Sequence, residues 1–577
     1  MSKLNVDQQT VRELLGNRKN SFLIPDYQRP YAWTEEQCQT LWDDIYNFAL
    51  PNEDKDAFND NEEYFLGSIV TFKNDQGQLE IIDGQQRLTT LLLMFRAFYN
   101  AFQVAQDANS RKTKAYIEQC IWKTDEFDNI KAEELKINSE VATDKDKEEF
   151  LRILKTGMVD RSSRSQYAQN YRFFISKVDR FKDVNPMSFV YLPQRILNNC
   201  ILLPIEAESQ DTALRIFSTL NDRGLPLSDA DIFKAQFYKF YGDRGEKDSF
   251  IEQWKQLESM ANDIFKPSTG TPMDDLFARY MYYLRAKEGN KSTTTESLRR
   301  FYAKNKFAYL HNETTVLNLK LLVEFWSDVA NQNSTRFTPE VIKQLYILND
   351  APNGMWEYLL SVYFLANKDN DNKLDNSSLY DFLRQTTAFV WGYALQRPGV
   401  NALRTPVYAE MVNIVNGKFN NFNEYKFNAE QIKSIIDNFE FTNQRAITRS
   451  MLTWYAFTLD DQVVPSLTEK FDIEHIYPRK RQQIEHGLSD NKIIDKLGNK
   501  ILLEKSINIK ASDYRFKDKK KFYMGEMRRG KDIRPSRIAE IADLVKLDDF
   551  GESEIIERNN RIVNKFIELL NTQNLLA

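Results

Sequence analysis

Hydrophobic positions near the start of the chain form two short continuous runs followed by a helical stripe. Phe65–Phe72 and Leu79–Ile82 are apolar runs separated by the polar segment Asn74–Gln78, so they predict two buried strands joined by a turn. Leucine and phenylalanine then recur every three or four residues over 88–102, which predicts a helix. The first part of the chain therefore combines strands with helices.

Another helix is predicted to begin at Thr34. Thr34 and Gln37 have the spacing of a capping box, and apolar residues recur on one helical face over 41–48. The acidic segment Asn52–Glu63 predicts a loop. The charged segment Lys123–Thr156 is interpreted as an inserted or mobile region.

The pattern then changes twice along the chain. Residues 241–430 carry helical periodicity with few strand signals, and the composition shifts again from about residue 431. We therefore predict an α+β multidomain protein that is mostly helical. Its predicted domains are 1–240, a helical connector at 241–430, and 431–577.

Composition narrows the class of protein. The 577 residues are 42% hydrophobic, which excludes a disordered chain and supplies several cores. The three cysteines are far apart, so neither a zinc ribbon nor a disulfide framework is expected. No signal peptide or membrane-spanning run is apparent, so we expect a cytoplasmic protein without a membrane partner.

The net charge of −5 excludes a uniformly basic nucleic-acid coat, but one region is basic. Residues 500–540 hold 13 Lys and Arg against 6 Asp and Glu, with aromatic residues interleaved. This pattern suits a phosphate backbone, and the alternative is a solvated helical face. The DNA-binding candidates are Lys510, Lys517, Lys519 and Lys520.

One group of candidate residues lies between the predicted strand and helix, in Asp83-Gly84-Gln85-Gln86-Arg87. Gly84 allows a sharp turn, and the helix that follows offers unpaired N–H groups to a phosphate. Arg87 adds an anion ligand, and Asp83 could orient a water or a metal. The alternative is a simple turn.

Two other segments are candidate partners of this turn. Ile24–Trp33 carries Arg29 and the aromatic residues Tyr27, Tyr31 and Trp33, which would either stack on a base or modified group or pack in a core. In the other segment, Ile216–Asp231, a glycine-ended loop holds Asn221 and Arg223. These two residues would either contact a nucleotide or cap helix ends. The spacing of Ser228 and Asp231 predicts that the next helix begins there.

A second group of candidates surrounds one of only three histidines in the chain, His475. Glu474 and Asn508 can each supply an oxygen to a hard metal such as Mg²⁺. His475 can accept the proton of an attacking water, because its reference pKa is near neutrality. His311 and His486 are assigned structural roles.

The ordered motifs IPDYQRPYAW, IIDGQQRLTTL and IFSTLNDRG resemble the N-terminal domain of GmrSD-type, modification-dependent (type IV) restriction systems. They are also similar to SspE-like phosphorothioate-sensing defence proteins. The resemblance implies a ParB/sulfiredoxin-like α+β domain that senses DNA modification. It also implies an NTP site (GTP, ATP, UTP or CTP) at Asp83, Gly84, Gln85, Gln86 and Arg87, to which Arg29, Asn221 and Arg223 are added as candidates.

The C-terminal region resembles the HNH (ββα-metal) nuclease motif in its GmrD-like form. The resemblance lies in the segment EHIYP, followed by LGNKILL and then by an asparagine and a lysine. By this resemblance His475 is the general base, and Glu474 and Asn508 are ligands of Mg²⁺ or Mn²⁺. Asn499 would fix the loop geometry around His475. Asp472 is a weaker metal candidate.

These resemblances together imply an antiphage DNA endonuclease or nickase, regulated by an NTP and by DNA modification. Its expected partners are double-stranded DNA, from modified phage or modification-marked host, and a nucleotide, with a homo-oligomer left open. One alternative is a nucleotide-gated DNA-binding NTPase with an inactive HNH domain. Another is a nuclease toxin controlled by a partner protein.

Overall fold

The computed structural model describes residues 5–105, 107–141, 144–210, 212–213, 216, 228–397, 399–418, 422, 424–525 and 534–577. The chain forms two compact units, Met1–Lys255 and Gln256–Ala577. The boundary lies inside one helix, Lys247–Ile264. The three-domain division at 240 and 430 stays a prediction.

The first unit is built on a seven-stranded mixed sheet and a separate strand pair. The strands are β1 (Asn5–Val6), β2 (Gln9–Thr10), β3 (Phe22–Ile24), β4 (Tyr64–Lys73), β5 (Leu79–Asp83), β6 (Trp122–Thr124), β7 (Ile130–Leu135), β8 (Ile137–Ser139) and β9 (Cys200–Ala207). The strand order in the sheet is β1-β9-β4-β5-β3-β8, and β2 also pairs with β9. β4 runs parallel to β9 and antiparallel to β5, and β3 runs parallel to both β5 and β8. β6 and β7 form the separate antiparallel pair.

Helices cover this sheet and form the main core with it. The helix after β5 is buried along most of its length, and its leucines and phenylalanines join the largest hydrophobic cluster of the unit. The helices are α1 (Val11–Gly16), α2 (Glu35–Ala49), α3 (Gln85–Ala101), α4 (Ala108–Ile121), α5 (Lys147–Thr156), α6 (Gln166–Val184), α7 (Tyr191–Asn199), α8 (Asp229–Gly242) and α9 (Lys247–Ile264).

Most local predictions for this unit are confirmed. β4, β5 and α3 lie where the apolar patterns placed them. Thr34 caps α2 in a capping box with Gln37, and Ser228 caps α8 with Asp231. The predicted loop 52–63 contains two short 3₁₀ turns, Pro51–Glu53 and Lys55–Ala57.

The interpretation of residues 123–156 as an inserted or mobile region is wrong for most of their described part. β8 adds to the main sheet beside β3, and Phe150, Ile153 and Leu154 of α5 are fully buried in the core. The charged residues of the segment lie at exposed positions, such as those of β7. Because they outnumber the few buried apolar residues of β8 and α5, the sequence does not indicate that the segment joins the core.

The second unit is mostly helical, and for residues 256–430 this agrees with the helical periodicity of the sequence. Its longer helices bury leucine, phenylalanine and tryptophan side chains against one another. The helices are α10 (Pro272–Lys287), α11 (Leu298–Tyr302), α12 (Lys304–Phe307), α13 (Glu313–Ala330), α14 (Pro339–Asn349), α15 (Met355–Asn367), α16 (Asn376–Gln396), α17 (Val400–Val415), α18 (Ala429–Asn438), α19 (Ala446–Phe457), α20 (Arg479–Glu485), α21 (Lys505–Ala511), α22 (Phe516–Tyr523), α23 (Ile541–Leu544) and α24 (Glu552–Thr572).

A small antiparallel pair interrupts this helical unit. β10 (Asp472–His475) pairs with β11 (Lys500–Leu503), and 3₁₀ turns at Asn491–Asp495 and Leu497–Asn499 precede β11. The buried guanidinium of Arg558 on α24 donates to the carbonyls of Leu497, Gly498 and Lys500 at 2.7–3.1 Å. The last long helix therefore fixes the turn that leads into β11.

None of the helices in the described part of the chain is both long and apolar enough to cross a membrane.

Gly498→Ala is expected to destabilise the second unit, because an added Cβ would lie 1.9 Å from the carbonyl oxygen of Ile555 and 2.7 Å from the amide nitrogen of Asn559. Overpacking against a rigid backbone predicts a loss of about 3 kcal/mol in the free energy of unfolding, measured by urea titration. In Gly354→Ala the Cβ meets nothing within 4 Å, so a change within about 0.5 kcal/mol is expected. Similar losses in both variants would contradict the close packing at Gly498.

Candidate functional site

The turn between β5 and α3 depends on a glycine at residue 84. Gly84 has a φ of 93° and is the N-cap of α3. A Cβ at this position would lie 2.2 Å from the Cδ1 of Ile69, so both conformation and space favour glycine. The turn thus brings the first amides of a 17-residue helix directly after the end of the strand.

Side-chain amides connect this turn to the Ile24–Trp33 segment. Gln85 Nε2 donates to the Arg29 carbonyl at 2.8 Å, and Gln86 Oε1 accepts from the backbone N–H groups of Ala32 and Trp33 at 2.7 and 3.2 Å. The structure therefore brings together the two segments that the sequence predicted as partners. Through these contacts Gln85 and Gln86 hold the Ile24–Trp33 segment against the turn, and their assignment to a nucleotide stays a prediction.

Arg87 and Asp83 form the charged part of this turn. Arg87 Nη1 donates to the Ser68 carbonyl at 2.9 Å, and its guanidinium lies over Gly67, where a Cβ would approach within 2.8 Å. Burial raises the pKa of Asp83, against the lowering effect of the Gly84 N–H and of the charges on Arg87 and Arg29. A carboxyl group and two guanidinium groups are thus close together at the start of α3.

The aromatic residues of the Ile24–Trp33 segment do not form an open wall. Tyr31 is 5% exposed, stacks on Tyr167 at a ring distance of 4.9 Å and bonds the Thr90 hydroxyl at 2.7 Å. Tyr27 is 4% exposed and packs against Tyr238. The predicted recognition role of both tyrosines is therefore wrong for the observed conformation, whereas Trp33 is partly buried at the edge of the core. Asn221 and Arg223 lie outside the described residues.

The C-terminal candidates meet around the β10–β11 pair. Glu474, His475 and Asn508 line one pocket of about 290 Å³, together with Pro478, Arg479, Ile509, Ser512, Asp513 and Lys519. β10 supplies Glu474 and His475, and α21 supplies Asn508. Asp472 does not line the pocket, and its Oδ2 accepts from Asn508 Nδ2 at 3.2 Å. The structure thus places Asp472 beside Asn508, where it orients the amide, and its assignment as a metal ligand stays a prediction.

Glu474 is held from inside the unit by a buried lysine. Lys519 Nζ forms an ion pair with Glu474 Oε1 and donates to the His475 carbonyl at 2.6 Å, and the Tyr523 hydroxyl donates to the same carboxylate oxygen at 3.2 Å. Burial raises the pKa of Glu474 and lowers that of Lys519, and their mutual attraction acts against both shifts. Since Lys519 has no exposed surface, the structure corrects its assignment as a surface DNA contact.

His475 lies beside a cluster of charges that the sequence did not indicate. Its Nε2 is 2.7 Å from Lys500 Nζ and 3.6 Å from Asp495 Oδ1. Arg479 Nη2 contacts both Asp495 oxygens at 2.6 and 2.7 Å. Burial lowers the pKa of His475, the Lys500 charge acts in the same direction, and Asp495 acts against it.

The sequence does not indicate these three neighbours, for different reasons. It marks Lys500 only as part of the basic stretch, whereas the pairing of Lys500 opposite His475 follows from the register of β10 and β11. Asp495 lies in a 3₁₀ turn with no motif around it. Arg479 follows the EHIYP motif directly and could have been included on that ground.

Asn499 is in the position that its predicted loop-fixing role requires. Its side chain is fully buried, accepts from the Tyr477 N–H at 2.8 Å and donates to the carbonyls of Tyr477 and Ile494 at 3.1 and 3.0 Å. These bonds fix the chain after His475. Asn499 therefore acts on the backbone and does not line the pocket.

The remaining lysine candidates differ in exposure. Lys510 and Lys517 are exposed. Lys520 is half-buried and donates to the Leu547 carbonyl at 2.6 Å. Residues 526–533 of the basic stretch lie outside the described part of the chain.

Two protein-family models match the chain. The model described as GmrSD restriction endonuclease, N-terminal domain, matches residues 11–238. The model described as GmrSD restriction endonucleases, C-terminal domain, matches residues 413–565. The two ranges together span about two thirds of the chain and include both candidate sites. No curated protein matches the chain.

Lys519→Met is expected to lower the free energy of unfolding by about 3–5 kcal/mol at pH 7, because it leaves the Glu474 carboxylate buried without its cation. Lys517→Met, on the same helix but exposed, should change it by less than about 0.5 kcal/mol. Urea denaturation of both variants measures the difference. Equal stabilities would contradict the buried ion pair and restore Lys519 as a surface residue.

Proposed function

The chain belongs to the GmrSD restriction endonuclease family, and we propose that it cleaves DNA in phage defence by metal-dependent HNH chemistry at His475. The observation that carries this proposal is the shared pocket of Glu474, His475 and Asn508. Glu474 and His475 are neighbours on β10 and Asn508 lies on α21, so the pocket forms where β10, β11 and α21 come together. Two antiparallel strands followed by a helix are the arrangement expected of a ββα-metal site.

The donor atoms at this pocket fit a small divalent cation such as Mg²⁺ or Mn²⁺. Glu474 Oε1 is engaged by Lys519 and Tyr523, which leaves Oε2 as a donor, and Asn508 contributes its amide oxygen. The described residues contain no group of three or more His, Cys, Asp and Glu that could hold a metal. Mg²⁺ suits such a sparse set, because it commonly keeps several waters and one or two protein ligands. When bound, the metal would stabilise charge on the phosphate and leaving oxygen.

The chain's own residues have separate tasks in cleavage. His475 takes a proton from the attacking water, as its neutral form at pH 7 permits. Arg479, which is half exposed and lines the same pocket, binds a DNA phosphate. Phosphates of the DNA backbone further from the pocket are bound by Lys510, Lys517 and Lys520. Asn499 holds the loop that presents His475.

The proposed N-terminal activity is NTP binding or hydrolysis in a ParB/sulfiredoxin-like domain. The amides at the start of α3, Arg87 and Arg29 supply positive potential for phosphates, with Asp83 beside them. Gln85 and Gln86 contribute by holding the Ile24–Trp33 segment against this turn. The nucleotide would gate cleavage of DNA that carries, or lacks, a modification.

One observation favours an alternative function. Lys519 already neutralises Glu474, so a cation is not needed to balance that carboxylate. This feature is compatible with an inactive nuclease pocket in a nucleotide-gated DNA-binding NTPase. DNA cleavage by the wild type, compared with His475→Ala, separates the two functions.

His475→Ala is expected to lower the rate of DNA cleavage by at least about 10²-fold, the usual contribution of a general base. The assay uses unmodified, glucosylated and phosphorothioated DNA with Mg²⁺ or Mn²⁺, with and without each NTP. Its matched control is His486→Asn, since His486 is exposed and adopts a left-handed conformation that asparagine tolerates. Unchanged cleavage by His475→Ala would overturn the catalytic assignment, and absence of any cleavage by the wild type would favour the NTPase.

Arg87→Ala is expected to weaken NTP binding by about 10–100-fold, because a charged hydrogen-bonding group is worth about 1.5–3 kcal/mol. Calorimetric titration with each NTP measures the affinity. The exposed Arg180→Ala serves as the control for a lost positive charge in the same unit. Unaltered affinity in folded Arg87→Ala would exclude the turn as the nucleotide site.

A further inference from the structure

Lys500 carries a buried side-chain nitrogen for which the proposed mechanism has no role. Its side chain has no exposed surface, and Nζ lies 2.7 Å from Asn443 Oδ1, 3.0 Å from Asp495 Oδ1 and 2.7 Å from His475 Nε2. An ammonium group has three N–H donors and no acceptor. The three neighbours therefore match the three donors, and the His475 Nε2 is the acceptor of one of them.

An ammonium donor at this distance favours one position for the hydrogen of a neutral imidazole. A ring whose Nε2 accepts a hydrogen bond has its own hydrogen on Nδ1. Because Nε2 is turned towards Lys500, Nδ1 is the nitrogen left to receive a proton from water. In that step a water O–H bond breaks and an Nδ1–H bond forms, so the neutral ring must begin with its hydrogen on Nε2.

We propose that Lys500 is a positioning residue that holds His475 in the Nδ1–H tautomer in the DNA-free protein. The proposal rests on the proposed role of His475 as the general base, and it adds that the imidazole has a resting form in the absence of DNA. In this form Nδ1 already carries a hydrogen and cannot take one from water. For the ring to act as a base at Nδ1 its hydrogen must lie on Nε2, and the Lys500 donor opposes that form.

The charges around Lys500 support its ammonium form. Burial lowers the pKa of Lys500 to about 8, and the contact with Asp495 acts against that shift, so the cation predominates at pH 7. Burial alone would raise the pKa of Asp495, but its contacts with Lys500 and Arg479 lower it well below the ordinary value. Asp495 itself is 3.6 Å from Nε2, too far for a hydrogen bond that would select the other tautomer.

The tautomer can be measured without DNA or cleavage. The chain has only three histidines, so protein labelled with ¹⁵N-histidine gives few ring signals, and His475→Gln identifies those of His475. At pH 7 the wild type should show a protonated Nδ1 and an unprotonated Nε2. In Lys500→Met the nearest remaining charged acceptor is Asp495, and the protonated signal should move to Nε2. Asp495→Asn keeps the Lys500 donor and should retain the wild-type tautomer.

A wild-type ring protonated on Nε2 would overturn the proposal, even if Lys500→Met failed to fold. An unchanged tautomer in folded Lys500→Met would overturn it as well, with the His311 and His486 signals reporting the fold. A change of tautomer in Asp495→Asn alone would assign the role to Asp495 instead. Because the readout is spectroscopic, loss of the proposed nuclease function would leave these results interpretable.

Discussion

A buried ammonium group must find a negative charge and hydrogen-bond acceptors, and two lysines of the second unit meet this constraint at the pocket of Glu474, His475 and Asn508. Lys519 is neutralised by Glu474, and Lys500 by Asp495. Unpaired burial of either charge would cost several kcal/mol. The positions of Glu474 and His475 follow from these pairings, because each lysine also contacts an atom of His475.

The N-terminal site is organised by neutral groups instead. Gln28, Gln85 and Gln86 use their side-chain amides to satisfy backbone groups of neighbouring segments. Buried backbone N–H and C=O groups need such partners wherever the regular hydrogen bonding of a sheet or helix stops. As a result, the charged residues Asp83 and Arg87 are held beside a turn that the glutamine amides fasten to its neighbours, and Arg87 adds a bond to the Ser68 carbonyl.

The sequence predicted local structure well where one short-range effect dominates. The caps at Thr34 and Ser228 and the strands before α3 needed only neighbouring residues. It also brought Glu474, His475 and Asn508 into one hypothesis, and the pocket contains all three. It failed for β8, whose pairing with β3 links residues more than 100 positions apart.

The sequence by itself thus determined the family, the main helices and strands, and the residue types of both sites. Only the tertiary structure decided which side chains are available to a ligand. Tyr31 and Lys519 have residue types that suit base stacking and phosphate binding, yet both are buried. Asp495 and Lys500 became part of the site because β-pairing and a 3₁₀ turn bring them to His475. Burial and charge pairing depend on contacts between distant segments, and those contacts are not encoded in any local pattern.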